Sequence, residues 1–173
     1  MPFLFINNAV TCQSSIHQIL RNHELSLHEW IDKEFIPVII QPVEKLKKIL
    51  LVDDDEHTNF LNKTIIRHAK FADEVVTHTA ASEALSYIQE EMGNGGLPEL
   101  IFLDINMPLM DGWDFIEKYA ELGLNGHSPK VIMLTSSINP KDEKRANAIQ
   151  AIDGFRSKPL SRDILQEIYQ KYF

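Results

Sequence analysis

The sequence holds a single cysteine, Cys12, among its 173 residues. That excludes an intrachain disulfide framework and fits a reducing compartment, so a cytoplasmic location is expected. Lys and Arg are nowhere clustered, and the formal net charge is -8; without a basic field to hold a phosphate backbone, no nucleic-acid partner is expected. No run approaches the roughly 18 to 20 apolar residues needed to span a bilayer, the nearest being the short "FIPVII" at 35–40. The opening "MPFLFINNAVTC" is apolar, but it has no basic n-region and is interrupted by Asn7-Asn8, which argues against a secretory signal. Neither export nor membrane insertion is expected.

What is present is apolar content of 44%, enough for one good core with at most an appendage. From Lys47 onward, strand-length apolar runs alternate with segments of helical period. "KKILLVDD" precedes "TNFLNKTIIRHA", where Phe60, Leu61, Ile65 and Ala69 recur at helical spacing. The order repeats through "EVVTHT" and "SEALSYIQEEM", "LIFLD" and "GWDFIEKYAEL", "KVIML" and "NPKDEKRANAI", then "DGFRS" and "SRDILQEIYQKYF". Helix starts are marked by Asn139 with Pro140, Asp142 and Glu143, and later by Ser161 with Asp163. Five βα units predict a doubly wound α/β fold with a five-stranded parallel sheet, whose ligands bind beyond the carboxyl ends of the strands.

Residues 1–46 fall outside this series. Ile16, Ile19 and Leu20, then Leu27, Trp30, Ile31 and Phe35, suggest two short amphipathic helices, with Ser26 and Glu29 as a capping box. Helices this short need a partner, so the extension is expected to dock on the domain, to self-associate or to stay partly disordered. Another expectation is that "VEKLKKILLVDDDE" is the native start. His17, His23 and His28 lack the spacing of a helical metal pair, and 46 residues are too few for a histidine phosphotransfer bundle.

The final residues of each strand carry the chemistry. Asp53-Asp54, Asp104, Thr135 with Ser136 and Ser137, and Ser157-Lys158-Pro159 all fall at one edge of the expected sheet. Two unit charges ~4 Å apart repel by ~4 kcal/mol at an effective dielectric near 20, so three gathered carboxylates need a raised pKa, a cation, or both. Lys158 offers one positive charge against three. An all-oxygen donor set without Cys or His favours Mg2+ over zinc. Carboxylate-held Mg2+ beside a lysine and a hydroxyl is equipment for phosphoryl transfer, with Asp104 as the nucleophile, since a carboxylate can carry an acyl phosphate.

"LLVDDDE", "IFLDINMPLMDGW", "VIMLTSS" and "FRSKPL", in this order and with these separations, resemble the receiver domain of two-component response regulators, the CheY-like superfamily. The resemblance covers residues 47–173 and leaves 1–46 as an extension. It implies a flavodoxin-like sheet of order 2-1-3-4-5 that takes a phosphoryl group from a phosphohistidine donor, a sensor histidine kinase or a histidine phosphotransfer protein. Carried over by motif, Asp104 is the phosphoacceptor. Asp53 and Asp54 form the acidic pair for Mg2+, with Asp104 and the Asn106 backbone carbonyl as further ligands. Lys158 contacts the phosphoryl oxygens ahead of a cis-Pro159. Thr135 binds the phosphoryl group, and its movement is coupled to an aromatic switch at Phe155, a position often held by Tyr. Asp55 is expected outside the first metal shell. With thirteen residues after Leu160, the resemblance is to a stand-alone receiver without an output domain, signalling through its surface around residues 139–158 to a downstream protein. Homodimerisation is left open.

Each residue has a plainer reading. Asp53 to Asp55 could be a solvated acidic loop, Asp104 a turn former, the Thr135 group a set of backbone caps and Lys158 an exposed lysine. Their joint occurrence at four strand ends favours the site. A haloacid-dehalogenase-like phosphatase would use Asp53 and Asp55 as a D-x-D pair, but it calls for Thr or Val at His57 and a late acidic motif, both missing. Flavin binding is disfavoured because "DDDE" repels phosphate. A pseudo-receiver scaffold is disfavoured by the intact Asp, Asp, Thr and Lys.

Overall fold

The three central strands of a five-stranded sheet are runs rich in Ile, Leu and Val that are buried on both faces, as strands of a parallel sheet covered by helices must be, while the two edge strands are only partly covered. The computed structural model describes residues 45–124, 128–136 and 139–173; the helices expected within 1–46 lie outside the described residues, apart from the last two positions. The elements are β1 (Leu46–Val52), α1 (Glu56–His68), β2 (Ala72–His78), α2 (Ala81–Asn94), β3 (Leu100–Asp104), α3 (Gly112–Glu121), β4 (Lys130–Thr135), α4 (Pro140–Ala148), β5 (Gly154–Ser157) and α5 (Arg162–Tyr172). All pairings are parallel and the sheet order is β2-β1-β3-β4-β5. The expected fold class and strand order therefore stand, and the order reverses between β1 and β3, the switch point beyond which sheets of this kind bind their ligands.

Side chains alternate between the sheet's two faces with period two. Ile49 and Leu51, Leu100 and Phe102, Ile132 and Leu134 pack with Ile66 of α1 and with Leu165 and Ile168 of α5. Leu50 and Val52, Ile101 and Leu103, Val131 and Met133 pack on the other face with α2, α3 and Ala146 of α4. The helix starts behave as their sequences imply. Asn139 accepts from the Lys141 N–H at 3.0 Å with Pro140 following, and Ser161 Oγ accepts from the Ile164 N–H at 3.2 Å.

In α1 the inward face differs from the expected one. Phe60 is 74% exposed and Leu61 48% exposed, whereas Asn59, Asn62 and Ile66 are buried. The spacing fixed a helical period but not its phase, because two of the three inward positions hold amides. Ile65 and Ala69 reach only the margin of the core.

Candidate functional site

Three consecutive carboxylates follow β1, and each goes a different way. Asp53 is 4% exposed. Its backbone N–H donates to His78 O at 3.2 Å, extending the β1–β2 ladder, and its Oδ1 accepts from the Asp55 N–H at 3.1 Å. Asp54 faces solvent. Asp55 caps α1, accepting from the His57 N–H at 2.9 Å and from Thr58 Oγ1 at 2.8 Å. These bonds, that from Thr58 foremost, hold the Asp55 carboxyl below its ordinary pKa.

Asp104 ends β3 and is buried, its Oδ2 accepting from the Asn106 N–H at 3.2 Å. The next loop must turn sharply away. Asp111 caps α3 through the Trp113 and Asp114 N–H groups, each at 2.8 Å, and Asp114 completes the capping box. Only glycine fits at position 112, since a Cβ there would lie 2.4 Å from Asp104 O. Thr135, at the end of β4, is buried, and its carbonyl accepts from the Lys158 N–H at 2.7 Å. Lys158 precedes a cis peptide bond to Pro159, and Leu160 beyond it is buried in the core.

These placements bring the Lys158 ammonium to 2.6 Å from Asp53 Oδ2 and 2.7 Å from Asp104 Oδ1. Burial alone would lower the lysine's pKa, but its contacts with Asp104 and Asp53 outweigh that and hold it above the ordinary value. Asp53 moves toward the neutral form, because burial pushes its carboxyl up more strongly than Lys158 pulls it down. One ammonium is thus shared between two buried carboxylates.

The donor set fits a hard divalent ion. One carboxylate oxygen from each of Asp53, Asp54 and Asp104 lies within 4.8 Å of the others. The buried Asp53 Oδ2 has the Lys158 ammonium at 2.6 Å, which leaves the carboxylates of the cluster in excess of the cation beside them. Oxygen-only ligation with excess negative charge suits Mg2+.

Of the expected site residues, Asp53, Asp54, Asp104, Thr135 and Lys158 come together at the carboxyl ends of β1, β3, β4 and β5. Asn106 lies two residues beyond Asp104. Phe155, half-buried in β5, is paired in register with Met133. Ser137 lies outside the described residues. Two features at or beside the site were not anticipated. Asn59 is 4% exposed and donates from Nδ2 to Asp53 O at 2.8 Å and to His78 O at 3.3 Å. The Arg145 guanidinium of α4 lies 4.3 Å from the centre of the Trp113 ring of α3, a cation–π contact. The first had a signal, an amide six residues after the strand's end; the second depends on tertiary proximity alone.

A family model described as "Response regulator receiver domain" matches residues 49–170. A crystal structure of a two component response regulator from Cytophaga hutchinsonii is similar, with TM-score 0.68 and 34% identity, over 74% of this chain and 97% of that one. Chemotaxis protein CheY of Halobacterium salinarum is 30% identical over 118 residues, 67% of this chain and 88% of that protein. Hybrid signal transduction histidine kinase L of Dictyostelium discoideum is 33% identical over 134 residues, which are 76% of this chain but only 8% of the kinase.

Proposed function

The chain belongs to the response regulator receiver family of two-component signalling, and from that premise we propose that it accepts a phosphoryl group from a phosphohistidine donor onto Asp104. A carboxylate oxygen of Asp104 attacks phosphorus, the P–N bond to the donor imidazole breaks, and an acyl phosphate forms. Asp53, Asp54, Asp104 and the Asn106 carbonyl would hold Mg2+, which when bound would supply charge neutralisation at the phosphoryl oxygens. Lys158 leaves its shared position to pair with a phosphoryl oxygen. Thr135 hydrogen-bonds another, and Phe155 follows its movement.

The observation that carries this reading is the Lys158 ammonium lying 2.6 Å from Asp53 and 2.7 Å from Asp104. A nucleophile and a future phosphate contact are already neighbours, beside carboxylates in excess of cations. Receiver domains work with histidine kinases. We place the donor in that class, a sensor kinase or a histidine phosphotransfer protein, and the site of action in the cytoplasm. The output is a surface change around α4 and β5, read by a downstream protein. Among the described residues no helix is long and apolar enough to cross a membrane.

The test is incubation with Mg2+ and acetyl phosphate, followed by intact-mass measurement. The expected outcome is one phosphoryl group on the wild type, removed by hydroxylamine and absent from Asp104→Asn. Labelling that persists in Asp104→Asn and vanishes in Asp53→Asn would assign the nucleophile to β1 and favour the phosphatase alternative.

A further inference from the structure

We propose that Asn59 is a positioning residue for the acidic site: its buried side-chain amide pins the backbone carbonyl of Asp53 and so sets how the Asp53 carboxylate meets Mg2+. The inference rests on the reading of the site given above.

Asp53 lies just beyond the end of β1. Val52 is the last residue of that strand in register with both neighbours, pairing with His78 on one side and Leu103 on the other. The Asp53 carbonyl therefore projects past the ladder into a region where the residue as a whole is 4% exposed. A carbonyl without water must find a donor in the protein. Asn59, one helical turn into α1, supplies it from Nδ2 at 2.8 Å and reaches His78 O at 3.3 Å with the same nitrogen. His78 O also receives the Asp53 N–H at 3.2 Å. One amide thus ties α1, the end of β2 and both backbone groups of Asp53 into a single knot.

Core packing does not account for an amide at this position. A buried helix face normally carries apolar residues, Asn is a poorer helix former than Leu, and Asn59 Oδ1 is buried with no partner among the described residues. An unmatched buried oxygen is unfavourable. The amide at 59 thus comes at the expense of local packing, and what it secures is the orientation of one carboxylate. Groups that orient ligands from behind typically change metal affinity by about 10- to 100-fold when removed.

The test compares wild type with Asn59→Leu, which fills the space without a donor, and with Asn59→Gln, which keeps an amide. Asn59→Ala serves if Leu overfills the site. Backbone hydrogen exchange is measured without Mg2+, and MgCl2 is titrated by calorimetry. Exchange at residues 53–55 should quicken in Asn59→Leu while the centre of the sheet stays protected. The Mg2+ dissociation constant should rise about 10- to 100-fold, and Asn59→Gln should recover most of both. Unchanged exchange at 53–55, or Mg2+ affinity that survives the loss of the donor, would overturn the inference. A wild type that binds no Mg2+ would overturn the proposed function itself, a result distinct from either of these.

Discussion

The two ends of the sheet handle charge in opposite ways. At the amino end, charges are matched: Lys48 meets Glu91 at 2.6 Å with Glu74 at 3.8 Å, and Asp153 accepts from Lys130 Nζ and from the Val131 N–H, each at 2.9 Å. At the carboxyl end, Asp53, Asp54 and Asp104 cluster, and among the described residues Lys158 is the one cation paired with them, through Asp53 and Asp104. The same helices and strands carry both ends, so the difference is not one of fold. Matched pairs hold elements together, and an unmatched cluster stores an affinity for whatever cation completes it.

Removing Lys158 from the unmatched end should have the largest effect. Lys158→Ala leaves buried carboxylates facing each other, and a loss of about 3 kcal/mol in urea unfolding is expected. Mg2+ should restore part of that loss, a recovery without counterpart at the other end. Equal loss with and without Mg2+ would show that the lysine serves the fold only.

A smaller effect is expected where charges are matched. Glu91→Gln should cost about 1 to 2 kcal/mol and leave phosphoryl labelling untouched. Its pH signature has a definite sign. The Glu91 hydrogen bond raises the Lys48 pKa above its ordinary 10.5, so the stabilisation is full below that pH and is lost as pH rises beyond it. Unfolding followed from pH 8 to 11.5 should show a steeper alkaline decline in wild type than in Glu91→Gln.

Asp53→Asn sharpens the contrast with the smallest change and the opposite sign. Burial raises the Asp53 pKa above its ordinary 3.8, so the protonated form belongs to the folded state. The associated stability is complete below pH 3.8 and is lost as pH rises through the folded-state value. The charged carboxylate therefore burdens the fold at neutral pH. Asp53→Asn should be more stable than wild type at pH 7 in EDTA, with the gain closing as the pH falls below 3.8. A variant less stable at pH 7 would contradict the burial argument.

The carboxyl end was legible because the buried runs of β1, β3 and β4 stop abruptly at Asp53, Asp104 and Thr135, and Lys158 directly follows the short edge strand β5. The family motifs contributed the strand order and the cis bond before Pro159. The face of α1 was not legible, because periodicity reports apolar residues, and here the inward positions 59 and 62 are amides while Phe60 and Leu61 point out. The role of Asn59 was hidden for the same reason. It answers a carbonyl left beyond the ladder, which a reading of side chains does not register. The stacking of Arg145 on Trp113 joins helices 32 residues apart in number, and no local pattern announces it.

The unmatched carboxylates form the proposed Mg2+ site, centred on Asp104. Its most direct test is urea unfolding across a MgCl2 series for wild type, Asp104→Asn and the amino-end control Glu91→Gln. Wild type and Glu91→Gln should gain about 2.7 kcal/mol when Mg2+ reaches one hundred times its dissociation constant, and Asp104→Asn should gain far less at the same concentration. An equal gain in all three proteins would place the magnesium elsewhere and contradict the account.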